Sequence, residues 1–378
     1  MILPALALLF GPVPACPQST PAPAPASPVR PWILRADRIL TGDGEEFEKG
    51  AVLLRGGRIL AVGASVPVPA NAVEVRLHGT LAPGFVDAFS GFGLEGRVTE
   101  DSRPLSAGLR VRDSLDRRAP LWRELLAAGV TSIHVVPEPA NVAAGWGALV
   151  HPGDPSALVG TPETRQVFSL LFAQETHEVY DEVFGPTSLA GAGKLLAEVL
   201  EQGIPGLKEK GALVFVDSPG AARLAREQAR RHDLDAVLVA LGDPGAYGRE
   251  LAGRLVGLPA LGEGSLGPRA IEVLRRLHGS GVRIAFGTRF TGSSQPDALR
   301  MSAMALSRIT GDPGAALASI TANAAELAGV ARRTGRIAPG ARADLVLWSG
   351  HPLDAAARVK AILVEGRSLG FRTPVEEP

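Results

Sequence analysis

Apolar and polar positions in the first part of the chain follow the pattern of short β-strands. Runs rich in Ile, Val and Leu cover residues 32–40, 51–54 and 58–62, and Gly56-Gly57 separates the last two. A glycine pair between two such runs is typical of a tight hairpin turn. Residues 72–77 alternate apolar and polar side chains, as in a strand with one face in water. The pattern predicts a small antiparallel sheet.

From Pro83 onward the pattern changes to strands that alternate with amphipathic helices. Helices are predicted over 121–128, 221–232 and 271–278, and strands follow them at 130–136, 236–240 and 282–286. This alternation is typical of parallel strands joined by crossover helices. About 250 residues with this pattern fit a (β/α)₈ TIM-like barrel of the α/β class, although periodicity alone does not exclude an open sheet.

The end of the chain returns to strands at residues 343–348 and 359–364. We expect these strands to pair with the N-terminal ones. The sequence therefore predicts a composite β-sandwich from residues 31–82 and 336–378, and a barrel from residues 83–335.

The first thirty residues differ from the rest. Residues 2–10 form a short apolar run, and Val13-Pro-Ala15 suits cleavage after Ala15, although a basic stretch before the run is missing. We interpret residues 1–15 as a signal peptide and residues 16–30 as a Pro/Ala linker. This predicts export to a periplasmic or extracellular location. Cys16, the only cysteine, would be the site of a lipid anchor if the signal is of the lipoprotein type.

Composition limits the partners. Lys plus Arg equals Asp plus Glu at 39 each, so a polyanion such as nucleic acid is not expected. After the N-terminal run, no apolar stretch reaches the roughly 18 residues that a transmembrane helix needs.

One glycine-rich motif has two interpretations. Residues 81–96 read LAPGFVDAFSGFGLEG, and their second half fits G-x-G-x-x-G. A dinucleotide loop requires a helix directly after the glycines, because the helix N-terminus binds the pyrophosphate. Here RVTEDSRPLS follows, which is not typical of a helix. The motif is therefore interpreted as a barrel strand that continues into a loop.

Several segments resemble the amidohydrolase superfamily. The C-terminal match follows T-x-N-x-A and then G-x-I-x-x-G-x-x-A-D-L, with Thr321, Asn323, Ala325, Gly329, Gly335, Ile337, Gly340, Ala343, Asp344 and Leu345 as matching residues. Pro83-Gly84 and Asp87 resemble the P-G-x-x-D of the first barrel strand. Residues 141–150 resemble the imidazolonepropionase-like branch. The resemblance implies hydrolysis of C–N bonds with one or two divalent metals, such as zinc, at the barrel mouth.

The chain departs from that family where metal ligands are expected. Phe89 and Gly91 occupy the two histidine positions of D-x-H-x-H, and neither offers a lone pair. Gly287-Thr288-Arg289 resembles the strand-eight G-T-D, with a cation in place of the catalytic aspartate. On strand five, Val216 or Asp217 stands near the expected histidine. We therefore predict no metal or other cofactor, and a vestigial pocket at Asp87, Phe89, Gly91, Asp217, Thr288 and Arg289.

Three functions remain open. The first is a non-catalytic partner or scaffold subunit, paired with an active amidohydrolase relative or with copies of itself. The second is a small-molecule binder in which Arg289 holds a carboxylate, unless Asp87 or Asp217 neutralises it. The third is an active hydrolase of C–N bonds, in cyclic amides or other non-peptide substrates, with an atypical site. Its acid–base candidates are Asp87, Asp217, Glu138 and Asp243.

Overall fold

The computed structural model describes residues 30–96, 100, 103–153, 163–171, 186–262, 267–288 and 295–368. Two residues that carry sequence predictions, Cys16 and Arg289, lie outside these ranges, as do the signal peptide and nearly all of the linker.

The first of the two sheets, the end sheet, combines strands from both ends of the chain. Its strands are β1 (Trp32–Leu40), β2 (Glu46–Glu48), β3 (Ala51–Arg55), β4 (Arg58–Gly63), β5 (Val73–Pro83), β14 (Leu345–Trp348), β15 (Val359–Val364) and β16 (Arg367–Ser368). They run in the order β16-β15-β14-β5-β1-β3-β4, and β2 pairs with β1. The antiparallel pairing of β14 with β5 joins the two chain ends, as predicted, and β3 and β4 form the predicted hairpin at Gly56-Gly57. A sandwich of two sheets is not confirmed.

The second sheet, the barrel sheet, contains eight strands in sequence order. They are β6 (Phe85–Ser90), β7 (Val130–Val135), β8 (Ala143–Val150), β9 (Glu163–Leu170), β10 (Ala212–Val216), β11 (Ala236–Ala240), β12 (Leu255–Pro259) and β13 (Arg283–Gly287). The first and last strands approach each other, since the amide of Thr288, directly after β13, donates a hydrogen bond to Asp87 of β6. The sheet is a nearly closed, TIM-like barrel.

The expectation of a wholly parallel barrel is wrong at β8. This strand is antiparallel to both β7 and β9. Residues 136–142 connect β7 to β8, and they are fewer than the dozen or more that a parallel crossover needs. The chain therefore turns back directly, and residues 141–150 form a hairpin arm instead of a strand–helix unit.

Helices follow the strands along the rest of the barrel. They are α1 (Leu121–Ala127), α2 (Leu189–Gln202), α3 (Leu207–Lys210), α4 (Pro219–Arg231), α5 (Pro268–Gly279), α6 (Ala298–Thr310), α7 (Pro313–Ala318) and α8 (Ala322–Leu327), with 3₁₀ helices at Val111–Ser114 and Pro244–Glu250. The helices predicted from periodicity correspond to α1, α4 and α5. Helix α4 begins where expected, because the Ser218 hydroxyl accepts a hydrogen bond from the Ala221 amide and Pro219 occupies the first turn.

One apolar core lies on each face of the barrel sheet. The outer core packs the helices against the strands. The inner core contains residues from β6, β8, β9, β10, β11, β13 and α8, including Phe89 and Phe215. In the described residues, no helix combines the length and apolar character needed to cross a membrane.

Candidate functional site

Phe89 fills the barrel interior at the position where the family resemblance places a histidine. Its side chain is fully buried. Its ring meets the ring of Phe215 edge-on, with 5.7 Å between centroids and an interplanar angle of 87°. Phe89 belongs to β6 and Phe215 to β10. These strands are four positions apart in the eight-stranded sheet, so they face each other across the barrel. A contact between these two strands crosses the barrel, so the aromatic pair occupies its centre.

Two glycines make room for the Phe89 ring. A Cβ on Gly287 of β13 would lie 2.6 Å from the Phe89 ring and 2.5 Å from its carbonyl oxygen. A Cβ on Gly257 of β12 would lie 3.0 Å from the same ring. At Gly287 a Cβ would clash with the Phe89 backbone as well as with the ring, so this position requires glycine. At Gly257 a Cβ would also lie 2.9 Å from Val239. The Phe89 ring therefore packs directly against β12 and β13.

Asp87 closes the barrel. The Thr288 amide donates a hydrogen bond of 3.0 Å to one carboxylate oxygen of Asp87, and the Thr288 hydroxyl donates to the other. The carboxyl group is fully buried. These bonds connect β6 to the residue that follows β13, so Asp87 and Thr288, two of the predicted site residues, lie in direct contact.

A chain of hydroxyl groups leads to this carboxyl group. The Ser90 and Thr288 hydroxyls are 2.9 Å apart, and the Phe92 amide donates to the Ser90 oxygen at 3.1 Å. Because Thr288 donates to Asp87, Ser90 is the donor to Thr288. The hydrogen bonds therefore all point toward the carboxylate.

Burial nevertheless raises the pKa of Asp87 to about 7, since removal of water from a charged carboxylate outweighs the hydrogen bonds that lower the pKa, of which those from the Thr288 hydroxyl and amide are the largest. A carboxyl group with this pKa exchanges a proton near neutral pH. It has the acid–base property that a catalytic group requires, but both of its oxygens already bind Thr288.

The other predicted site residues are less closely connected. Gly91 follows β6 and is half-buried, and Asp217 follows β10 and is half-buried. Glu138 lies in the loop between β7 and β8. Asp243 caps the 3₁₀ helix Pro244–Glu250 and pairs with Arg269, which lowers its pKa. This environment indicates a structural carboxylate at position 243.

His134 of β7 is a packed histidine, fully buried in the barrel. Its Nδ1 lies 2.9 Å from the Ala88 carbonyl oxygen, and its Nε2 lies 2.7 Å from the Thr164 hydroxyl. The Nδ1–H donates to the carbonyl, so Nε2 accepts from Thr164. Burial lowers the pKa of His134 to about 4, which keeps the ring neutral.

A second histidine, His151, is half-buried and lies near a serine and an aspartate. His151 Nδ1 lies 3.2 Å from the Ser132 hydroxyl and 3.7 Å from an Asp344 carboxylate oxygen. A catalytic triad needs the serine on one ring nitrogen and the carboxylate on the other. Here both groups face Nδ1, so the arrangement does not activate Ser132 as a nucleophile.

The comparisons with known proteins agree with this geometry. Residues 218–368 match the model of the amidohydrolase family. The matched segment is less than half of the chain and runs from just before α4 to the end of β16. No curated protein matches the sequence.

Solved structures share the fold over most of the chain. An amidohydrolase from Thermotoga maritima MSB8 is 22% identical, with 90% of this chain and 100% of that chain covered and a TM-score of 0.74. A Xaa-Pro dipeptidase with bound methionine is 14% identical, with coverage of 90% and 100% and a TM-score of 0.56. Ochratoxinase from A. niger is 16% identical, with coverage of 90% and 96% and a TM-score of 0.55. At such identities the likeness shows the amidohydrolase fold alone.

The side chains at the two positions where the resemblance places histidines do not fit a divalent metal. Phe89 supplies a hydrocarbon ring and Gly91 supplies no side chain, whereas zinc requires nitrogen, sulfur or carboxylate ligands. In the part of the chain that the structure describes, no group of three His, Cys, Asp or Glu side chains could hold a metal ion. Arg289 lies outside the described residues.

Three members of the site were not found from the sequence. Phe215 and Leu213 lie two residues apart on β10 and therefore share a face. This spacing was the available signal for an inward-facing ring. Ser90 gave no signal beyond its place next to Phe89. Tyr247 lies in the 3₁₀ helix Pro244–Glu250, and its hydroxyl lies 3.0 Å from the Val216 carbonyl and 2.9 Å from the Leu241 carbonyl, so it connects β10 with the end of β11.

Proposed function

We propose that this protein is a non-catalytic member of the amidohydrolase superfamily, of the imidazolonepropionase-like branch, whose barrel has lost its metal site. The observation that carries the proposal is the Phe89–Phe215 pair, which fills the barrel centre where a metal ligand is expected. Gly257 and Gly287 support it, because the strands around Phe89 accommodate its ring. The protein then acts as a partner or scaffold subunit, or as a small-molecule binder, in an exported form that a lipid on Cys16 would anchor to a membrane.

A turnover assay tests this function. The purified protein is incubated with cyclic amides, N-acyl amino acids and dipeptides, with and without added Zn²⁺ or Mn²⁺. The proposal predicts no hydrolysis above that of heat-denatured protein. Light scattering coupled to size-exclusion chromatography, with and without an active relative from the same source, distinguishes the homo-oligomer from the mixed complex. Steady turnover would contradict the proposal.

The second candidate is an active hydrolase of C–N bonds with an atypical site. The observation in its favour is Asp87, whose pKa of about 7 suits a general acid or base. If Asp87 performs this role, Asp87→Asn abolishes turnover while the fold is retained. Turnover that persists in Asp87→Asn would exclude Asp87 as the catalytic group.

A further inference from the structure

The end sheet curls until its outer turns meet. The Gly56-Gly57 turn joins β3 to β4, and residues 365–366 join β15 to β16. A Cβ on Gly57 would lie 3.0 Å from the Glu365 carbonyl oxygen. Ala343 connects the two turns, because its amide donates to the Gly57 carbonyl at 2.8 Å and its carbonyl accepts from the Gly366 amide at 3.0 Å. The sheet therefore forms a cup instead of a flat layer.

The open end of this cup contains a cavity of about 740 Å³, which we call the end-sheet groove. Its size falls within the range of small-molecule sites. Its floor is apolar and comes from three neighbouring strands and β15, with Leu34, Leu54, Val75, Leu77, Ala361 and Leu363 as lining residues. Trp32 stands at its edge with 47% of its surface exposed.

The rim of the groove is cationic. Arg30, Arg55 and Arg367 line it and are exposed. Within the described residues, none of the three is paired with a carboxylate. Glu365 also lines the groove, but its carboxylate accepts a hydrogen bond from Arg342. Three guanidinium groups thus surround an apolar floor with no matching negative charge.

The opposite face of the same strands differs. There, Arg35 of β1 donates a hydrogen bond of 2.7 Å to Glu74 of β5, and Arg76 lies 3.9 Å from the same carboxylate. On that face the two arginines share a carboxylate from the sheet, whereas the described residues provide no such partner for the three rim arginines of the groove.

We propose that the end-sheet groove binds a single-chain amphiphile with a carboxylate head group, such as a long-chain fatty acid. The acyl chain is buried against Leu34, Leu54 and Leu77, and this burial is favourable in proportion to the apolar area removed from water. The carboxylate meets the rim arginines, whose planar guanidinium groups bind carboxylates through paired hydrogen bonds. The site is separate from the barrel mouth and does not depend on the function proposed there.

Displacement of a fluorescent fatty acid tests this site. The purified full-length protein is titrated with cis-parinaric acid, and dodecanoate and dodecanol then compete for it. We expect saturable binding at one site per chain and displacement by dodecanoate at about tenfold lower concentration than by dodecanol. The double variant Arg55→Glu/Arg367→Glu weakens binding by about tenfold or more, since it replaces attraction by repulsion.

Arg76→Glu is the matched control, because Arg76 neighbours Val75 and Leu77 on β5 but belongs to the opposite face. It leaves the affinity unchanged within about twofold. The proposal is overturned if parinaric acid does not saturate, if Arg76→Glu weakens binding as much as the double variant, or if the protein binds anionic vesicles but not monomeric dodecanoate. Binding that appears only after deletion of residues 370–378 would also overturn it, since the chain's own end would then occupy the groove.

Discussion

The junction between the barrel and the end sheet carries the polar residues that resemble the amidohydrolase signature, whereas the end of β6 departs from that resemblance. At the junction, the Thr321 hydroxyl lies 2.8 Å from the Gly42 carbonyl, and Asn323 donates to the Ile284 carbonyl at 3.0 Å. Asp344 accepts hydrogen bonds from Arg342 and from the Glu365 amide. At the end of β6, Phe89 and Gly91 stand where the resemblance places two metal-binding histidines.

In this chain, the residues that resemble the superfamily signature serve the architecture. Thr321 connects the start of α8 with the loop after β1, Asn323 connects α8 with β13, and Asp344 holds the turn between β15 and β16. These contacts stabilise the fold whether or not chemistry takes place. The interior between β6 and β10 is instead filled by the aromatic pair, for which Gly257 and Gly287 leave space.

The largest effect on stability is expected for Phe89 in the barrel centre. Phe89→Ala removes a fully buried ring from the barrel centre and leaves a cavity beside Phe215, which costs about 3–5 kcal/mol of unfolding free energy. Urea unfolding monitored by circular dichroism measures it. Phe89→Leu, which keeps most of the volume, serves as the control and costs much less. A cost below about 1 kcal/mol for Phe89→Ala would mean that the ring does not fill the core.

A slightly smaller effect is expected at the junction. Asp344→Ala leaves Arg342 and the Glu365 amide without the buried carboxylate that they contact, which costs about 3 kcal/mol. Asp113→Ala is the control, because that side chain is 71% exposed and contributes little. If the two variants have the same melting temperature, the junction network is not a structural connection.

The closure between β6 and β13 is expected to depend on pH. The pKa of Asp87 is raised from 3.8 to about 7, so the folded state keeps a proton that the unfolded state has lost between these values. Stability from this group is therefore fully present below about pH 4 and decreases as the pH rises to about 7. Between pH 5 and pH 8 the decrease amounts to about 2–3 kcal/mol.

Asp87→Asn removes this decrease, because the amide can accept from the Thr288 amide and donate to its hydroxyl without a change of charge. Urea unfolding at pH 5 and pH 8 gives the comparison. The lowered pKa of His134 makes both proteins less stable toward acid pH, so its contribution cancels in the comparison. An equal slope in the wild-type protein and in Asp87→Asn would show that Asp87 is ionised across the whole range.

The smallest effect is expected at Tyr247. Tyr247→Phe removes the hydroxyl that contacts the Val216 and Leu241 carbonyls, and costs about 1 kcal/mol. Thermal unfolding measures the change. A destabilisation as large as that of Phe89→Ala would indicate that these two carbonyls have no other means of compensation.

Much of the fold was accessible from the sequence because it depends on local pattern. The Gly56-Gly57 hairpin, helices α1, α4 and α5, and the joining of the chain ends follow from periodicity and turn residues. The sequence did not predict the reversal of β8, because its Ala- and Gly-rich sequence has no pattern that sets strand direction. The direction of a strand relative to its neighbour depends on the length of the connection between them, and this length is known only once the strand boundaries are known.

The site was only partly accessible. Comparison with the family motif identified Asp87, Phe89 and Thr288, but neither Phe215 nor the hydrogen bonds between Thr288 and Asp87. Phe215 and Thr288 lie far from Phe89 and Asp87 along the chain, and such contacts arise from barrel closure. The pKa of Asp87 likewise depends on burial, which no local pattern reveals.

The central claim is that the barrel has lost its metal site, and metal content tests it most directly. The protein is purified without an affinity tag and without chelator, and its zinc, manganese and iron are measured by mass spectrometry. The account predicts trace amounts, far below one ion per chain. Near-stoichiometric metal would contradict it and would show that the chain has rebuilt a metal site.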